Sequence, residues 1–274
     1  MSTNKSIEMS KQKGLLKIKE LNTDELNFGD VSTNQHNGKF VNLQLNGNPF
    51  KLQMPKLKTW GIKSFNDESK PNEPPKYHLN LVFSKQEIDT DNKIKEALNK
   101  LEDMQNKIKE MLKERSKEFF NKKSASMDFI DACFNPFIVK SKDKETQEFD
   151  DRYSHIKLKL GLKKDGDEFT KNFMPKFFSK DKKKLVDEDD KEITADNHEK
   201  FSFGTEAKCS IQPGMIWFMG SNKCGVTWNL HQAVIEKLLQ RKQEEECLIQ
   251  DSSDDEDNTT DGSSDSDDDD TNDD

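Results

Sequence analysis

The sequence YHLNLVF at residues 77–83 decides the fold class, because a change of hydrophobic period follows it directly. Its apolar side chains alternate with polar ones, which is typical of a half-buried strand. From residue 91 to 121 apolar positions instead recur every three or four residues, which predicts an amphipathic helix of about 30 residues. These positions are Ile94, Leu98, Leu101, Met104, Ile108, Leu112 and Phe119. We expect the helix to pack against a β core, and a coiled-coil homodimer is the alternative.

Segments with strand periodicity lie on both sides of this helix. They cover residues 15–21, 41–45, 51–54, 136–139, 155–162, 207–219 and 225–235. Asn37-Gly38 adds a hairpin signal before the second of them. Strands, one long helix and further strands predict a mainly β protein, an OB-fold barrel with one long inserted amphipathic α-helix.

The composition divides the chain into three parts. Residues 1–14 are polar and are expected to be disordered, and residues 15–242 form the barrel domain. Within that domain, residues 180–200 are expected to form a mobile charged loop, and residues 236–249 have the composition of a helix. The last part, residues 243–274, is predicted to be a disordered acidic C-terminal tail, because it cannot bury enough apolar surface to offset its ordering entropy.

The charge of the tail hides the character of the rest of the chain. The whole sequence has 44 basic and 53 acidic residues, a net charge of −9. The tail contains sixteen of the acids and none of the bases, so residues 1–242 carry 44 bases against 37 acids, a net charge of +7. The tail is a polyanion attached to a basic body, and we expect it to compete with nucleic acid for that body. Its densest acidic positions are Asp254, Asp255, Glu256, Asp257, Asp267, Asp268, Asp269 and Asp270.

Basic residues interleaved with aromatic ones give the candidate binding residues. The basic residues are nearly all Lys, which binds phosphate as a point charge and suits sequence-independent contacts. Single-strand binding needs cations for phosphates and flat rings on which bases stack. The candidates are Lys56, Lys58, Trp60, Lys63, Lys157, Lys159, Lys176 and Phe177. Tyr77, Phe83 and Trp228 are in phase with apolar neighbours and are assigned to the core instead, whereas Trp217 stays open.

Signatures of enzymes and cofactor sites are missing from the sequence. It contains no P-loop, no H-E-x-x-H, no G-x-S-x-G and no G-x-G-x-x-G, and the five His are far apart. We therefore expect neither catalytic activity nor a cofactor. The four scattered Cys indicate reduced thiols in the cytoplasm or nucleus. No apolar run approaches the roughly 20 residues of a membrane span, and no secretory signal is visible.

Several short motifs, in order, resemble the single-stranded-DNA-binding proteins of giant DNA viruses, of the mimivirus and algal-virus type. They are NGKFVNLQL at 37–45, KLQMP at 51–55, WGI at 60–62, YHLNL at 77–81, IKLKL at 156–160 and GVTWNLHQAV at 225–234. That family is in turn similar to the single-stranded-DNA-binding protein of short-tailed phages. The resemblance covers roughly residues 15–242. It implies an OB-fold that binds single-stranded DNA, and an acidic tail that competes with DNA and contacts partners such as a viral DNA polymerase or helicase-primase.

The sequence therefore predicts a viral protein of DNA replication or recombination, located in the host cytoplasm at the viral factory or in the nucleus. It would bind single-stranded DNA without sequence preference. Two alternatives from other classes stay open. One is an acidic-tailed chaperone for histone-like or other basic proteins, and the other is a structural protein of the virion.

Overall fold

The structure is a computed structural model that describes residues 14–34, 38–142, 146, 148–187, 189–220 and 222–237. The chain divides into two units, Met1–Gln240 and Arg241–Asp274, and all described residues belong to the first. The predictions for the N-terminal segment and the acidic tail therefore lie outside the described residues. So do Asn37 of the expected hairpin turn and nearly all of the expected helix at 236–249, of which residues 236 and 237 end the last strand.

Five strands close into a barrel. Their antiparallel pairs are β4–β5, β5–β8, β13–β12 and β12–β4, and the fifth pair, β8–β13, is parallel. Numbered along the chain, these strands follow the order 1-2-3-5-4-1, which is the topology of the OB-fold. The prediction of a mainly β barrel is confirmed. The five are β4 (Lys51–Phe65), β5 (Lys76–Ser84), β8 (Phe149–Leu160), β12 (Phe203–Met219) and β13 (Lys223–Lys237).

Shorter strands extend the barrel wall. The hairpin β2–β3 pairs with β12 through β3, β1 with β4, β7 with β8, and β6 and β11 with β13, while β9 and β10 form a separate hairpin. Their ranges are β1 (Leu15–Lys17), β2 (Leu26–Thr33), β3 (Lys39–Leu45), β6 (Phe134–Asn135), β7 (Ile138–Lys142), β9 (Leu162–Asp165), β10 (Glu168–Phe173) and β11 (Lys176–Ser179).

The long helix lies between the second and third barrel strands. It is α2 (Asn92–Glu114), preceded by the short α1 (Lys85–Thr90) and followed by α3 (Ser116–Phe120) and α4 (Met127–Cys133). The side chain of Asp91 caps α2 by accepting a hydrogen bond from the Lys93 N–H. The predicted helix at 91–121 is thus real, with a break at Arg115. No helix in the described part of the chain is long and apolar enough to cross a membrane.

The apolar stripe of α2 is buried within its own chain. It packs against the β4 strand, the 3-10 turns Ile18–Glu20 and Thr23–Glu25, and α4. Burial of a large aliphatic side chain contributes about 1.5–3 kcal/mol, so this stripe stabilises the docked helix. A coiled coil through the same stripe would have to expose this core. The buried members of the stripe are Ile94, Ala97, Leu101, Met104, Ile108, Met111 and Leu112.

The barrel interior confirms the alternation read from the sequence. Leu79, Leu81 and Phe83 point inward from β5, and Trp228 is buried on β13. Tyr77 is also buried, beside Phe173. The assignment of Tyr77, Phe83 and Trp228 to the core is confirmed.

The charged segment 180–200 has buried side chains that its composition does not predict, while its mobility stays a prediction. Leu185, Ile193 and Ala195 are buried in the same core as the barrel. The Asp187 carboxylate is also buried and accepts hydrogen bonds from the backbone N–H groups of Asp189 and Lys191. These hydrogen bonds lower the pKa of Asp187. The segment is therefore anchored at both apolar and polar positions, which its high charge content obscured.

Strand β4 bends at Gly61, and the bend lets it pair with two neighbours. The pairing register of β4 with β5 shifts between Thr59 and Ile62, which marks a β-bulge. Gly61 has φ +74°, and a Cβ there would lie 2.6 Å from the carbonyl oxygen of Phe201. Thr59 and Ile62 both lie inside, and Trp60 points outward.

We predict that Gly61→Ala destabilises the barrel more than Gly47→Ala. Gly47 has a similar φ of +76° but open space around it, so its substitution costs only the left-handed backbone, about 1–2 kcal/mol. At Gly61 the clash with backbone adds a further loss of about 1–3 kcal/mol. Urea unfolding of both variants measures the difference. Equal losses would show that β4 does not depend on the close approach to Phe201.

Candidate nucleic-acid interface

A row of aromatic side chains crosses the outer face of the barrel. Trp60 on β4 lies opposite Phe203 on β12, and its ring contacts that of His155 on β8 with 4.6 Å between centroids. Phe203 is 68% exposed, and Tyr153 on β8 is 42% exposed. Neighbouring exposed apolar side chains on one face indicate an interaction surface more strongly than isolated ones do. We therefore treat Phe203, Trp60, His155 and Tyr153 as one feature, the aromatic row.

A cleft of about 300 Å³ opens between the members of this row. This volume is at the lower end of the range for small-molecule sites. Strands β4, β5, β8 and β12 and the start of α1 contribute to its walls. The side chains that matter for its chemistry are Lys58, Trp60, Glu87, Arg152, Tyr153 and Phe203.

A second row, parallel to the first, is basic. Cross-strand pairing aligns Lys63 on β4 with His78 on β5, and His78 with Lys159 on β8. Lys157, two residues before Lys159, lies opposite Asn80. Like charges brought together across neighbouring strands destabilise a sheet. We call Lys63, His78, Lys157 and Lys159 the basic row.

The three lysines of the basic row have no carboxylate partner in the part of the chain that the structure describes. Within the described residues, none of Lys63, Lys157 and Lys159 forms an ion pair. The lysines nearer β12 do: Lys56 lies 3.1 Å from Glu206 and Lys58 lies 3.2 Å from Glu87. Positive charge without a carboxylate partner is therefore concentrated at Lys63 on β4 and at Lys157 and Lys159 on β8.

Burial, and after it this concentration of charge, lowers the pKa values of basic groups on the face. Burial, followed by the nearby Lys157 and Lys63, lowers the pKa of His78 to about 4. The same causes lower the pKa of His155. Burial and the neighbouring Lys76 and Lys157 lower the pKa of Lys159. Both histidines are thus uncharged at neutral pH.

Two polar atoms of this face are buried without a partner. Neither Asn80 Oδ1 nor His155 Nδ1 has a hydrogen-bond partner among the described residues. Buried polar atoms are nearly always hydrogen-bonded, so each exception calls for an explanation. Asn80 lies opposite Lys157, and His155 belongs to the aromatic row. The outer face therefore includes two polar atoms whose hydrogen-bonding capacity is not used among the described residues.

The structure brings five of the eight predicted site residues together. Lys58, Trp60, Lys63, Lys157 and Lys159 share the face of β4, β5 and β8. Lys56 also points outward from β4, although Glu206 pairs with it.

The remaining two predicted residues lie elsewhere. Lys176 is exposed on β11, which pairs with β13 and not with β4, β5 or β8. Phe177 is only 7% exposed and packs between Phe173 and Phe201, with ring centroids 6.1 and 5.6 Å away. Because its ring is largely buried between these neighbours, we assign Phe177 to the core.

Four residues of the two rows were not predicted from the sequence: His78, Tyr153, His155 and Phe203. The strand alternation already placed His78 on the outer face, since Leu79 and Leu81 are inside. Tyr153 and Phe203 carried no such signal, because the expected strands began only at residues 155 and 207. Strands β8 and β12 begin six and four residues earlier, respectively. No group of acidic, His or Cys side chains within the described residues is arranged to hold a metal ion.

The low pKa of His78 predicts an acid-sensitive barrel. Folding weakens proton binding at His78. The stability of the fold is therefore not reduced by this group above the ordinary His pKa of about 6.5, and it falls as the pH drops toward 4. At pH 5 the cost is about 1–2 kcal/mol. We expect His78→Gln to lose less stability between pH 7 and pH 5 than the unmodified chain, measured by urea unfolding at both pH values. Identical losses would mean that His78 is solvated like a free histidine.

Comparison with known proteins gives a mixed result. No protein-family model matches the sequence, and no curated protein matches it. Solved structures of phage single-stranded-DNA-binding proteins are similar to it. The protein of bacteriophage Enc34 in complex with single-stranded DNA is 15% identical with a TM-score of 0.37, over 76% of this chain and 94% of that one. A second structure of the Enc34 protein is 13% identical with a TM-score of 0.32, over 80% of this chain and 97% of that one.

The single-stranded-DNA-binding protein encoded by bacteriophage T7 is a further similar structure. It is 11% identical with a TM-score of 0.40, over 73% of this chain and 98% of that one. The assignment of the barrel topology rests on the strand pairing described above, and the chain is similar in structure to these phage proteins.

Proposed function

We propose that this chain binds single-stranded DNA without sequence preference. One observation carries the proposal: the unneutralised basic row lies beside the exposed aromatic row on a single barrel face. A single strand presents phosphates along one side and bases along the other, so the two rows match its chemistry. In a duplex the faces of the bases are covered by stacking, and the aromatic row would have no partner.

The choice of cation supports binding without sequence readout. All three unneutralised cations of the basic row are lysines. Lysine attracts phosphate as a point charge, whereas arginine is preferred for bidentate recognition of guanine. Base stacking is also tolerant of sequence, because every base has a π-face. Both contributions favour a protein that coats exposed strands.

The biological setting is part of the same proposal. The order of motifs similar to the giant-virus family supports a role in viral DNA replication or recombination, in the host cytoplasm or nucleus. On this proposal the chain performs no catalysis, and replication proteins contact it through the acidic tail.

The tail is proposed to compete with DNA for the basic barrel. Support comes from the charges alone: sixteen acids in residues 243–274 against a net charge of +7 on residues 1–242. A polyanion on the same chain acts at high effective concentration, so it would lower the apparent affinity for DNA.

The salt dependence of binding tests the basic row. For a site that neutralises Z phosphates on a single strand, log K falls against log salt with a slope of roughly −0.7Z. Replacing Lys63, Lys157 and Lys159 together by Gln should reduce the size of this slope by about 2. Titration with fluorescent oligo-dT between about 50 and 200 mM salt measures it, and duplex DNA of equal length should bind more weakly.

A triple variant of equal charge is the control. Lys56, Lys171 and Lys208 already pair with Glu206, Asp196 and Glu236 at 3.1, 2.7 and 2.8 Å. Their replacement by Gln should change the slope less, since they are neutralised before DNA arrives. The proposed function is wrong if oligo-dT does not bind, and the basic row is wrongly assigned if both triple variants have the same slope.

Removal of the tail tests the competition. A chain that ends at Lys242 should bind oligo-dT more tightly at low salt, and the difference should shrink as salt rises because screening weakens the tail. Unchanged affinity at low salt would exclude competition. Binding of a basic protein such as a histone to the full chain, in place of DNA, would favour the chaperone function.

A further inference from the structure

The cleft of the aromatic row contains one fixed negative charge. Glu87, in the first turn of α1, is the only acidic residue among the described residues that line it. The other charged side chains at the cleft are basic, namely Lys58, Lys85 and Arg152. An acid in the lining of a site for a polyanion is a disadvantage unless it has a specific role.

Hydrogen bonds hold the Glu87 carboxylate in place. The Ser84 hydroxyl accepts from the Glu87 N–H at 3.3 Å and donates to Glu87 Oε2 at 2.7 Å, which is a helix-capping arrangement. Lys58 Nζ lies 3.2 Å from Glu87 Oε1. The side chain is 22% exposed, so the carboxylate still reaches the cleft.

A fixed carboxylate repels phosphate and attracts hydrogen-bond donors. Each carboxylate oxygen accepts more than one hydrogen bond, so Glu87 keeps acceptor capacity beside Ser84 and Lys58. The rings of Trp60, Tyr153 and Phe203 supply the flat apolar walls that a base needs. The interior of the cleft is therefore suited to a nucleobase, with the phosphates outside it on the basic side chains.

We propose that this cleft takes one nucleobase of the bound strand, and that Glu87 favours a base with an exocyclic amino group over thymine. Cytosine and adenine present amino donors that a carboxylate accepts, whereas the one donor of thymine, N3–H, lies between two carbonyl oxygens that a carboxylate repels. This inference rests on the proposed function. It adds a preference at one position to binding that is otherwise independent of sequence.

The test compares oligo-dC with oligo-dT of equal length. The quantity measured is the ratio of Kd for oligo-dT to Kd for oligo-dC, in the full chain and in Glu87→Gln. One hydrogen bond changes affinity by roughly two- to tenfold. The ratio should therefore fall by about this factor in the variant, because a Gln amide also donates to thymine. Both oligonucleotides should bind more tightly, since a negative charge is lost.

Glu206→Gln is the matched control. It removes a carboxylate that is paired with a lysine in a similar way, 3.1 Å from Lys56, but that does not line the cleft. It should tighten the binding of both oligonucleotides and leave their ratio unchanged. Glu87→Ala, which removes the acceptor entirely, provides a second variant should Gln disturb the cap of α1.

The outcomes separate the two proposals. If the unmodified chain binds neither oligonucleotide, the proposed function itself is wrong. If it binds both, but the ratio is the same in the unmodified chain, Glu87→Gln and Glu87→Ala, single-strand binding stands and the selective cleft is overturned. A ratio that changes equally in Glu206→Gln would also overturn it, because the effect would then be one of net charge.

Discussion

The bulge at Gly61 is the constraint on which the barrel and its outer face depend. Strand β4 must pair with β12 along its first part and with β5 along its second, and a regular strand cannot follow both curvatures. Gly61 has the left-handed backbone conformation at which the strand changes direction. A Cβ added at this residue would lie 2.6 Å from the carbonyl oxygen of Phe201. Alternation from the buried Thr59 points Trp60 outward, and the bulge directly after it returns Ile62 to the interior. Closure of the barrel and presentation of the central aromatic ring therefore meet at the same bend of β4.

Much of the fold could be predicted from the sequence because it depends on local periodicity. The alternation at 77–83 and the helical spacing after residue 91 are properties of consecutive residues, and both are present in the structure. The anchoring of residues 180–200 could not be predicted, because their charge conceals three buried positions, Leu185, Ile193 and Ala195. A few buried side chains can hold a segment whose average composition is that of a solvated loop.

The site was harder to predict because it depends on register between distant strands. Lys63, His78 and Lys159 are neighbours only because β4, β5 and β8 pair in one particular alignment. Lys157 and Lys159 were found from alternation along one strand, whereas Phe203 became visible only through its position opposite Trp60. Phe177 shows the opposite error. Its neighbours in the sequence include lysines, which indicated a binding residue, but its ring is buried in the structure.

The pairing of β4 with β12 also has a consequence for how the chain folds. Lys56 and its partner Glu206 are separated by 150 residues. Contacts between residues so far apart in sequence form slowly, because the chain loses loop-closure entropy before the contact contributes any stabilisation. During synthesis the apolar faces of β4 and β5 therefore stay exposed to solvent until most of the chain has been synthesised. Helix α2 is made of local contacts and packs against β4, so its formation does not have to wait for the barrel to close.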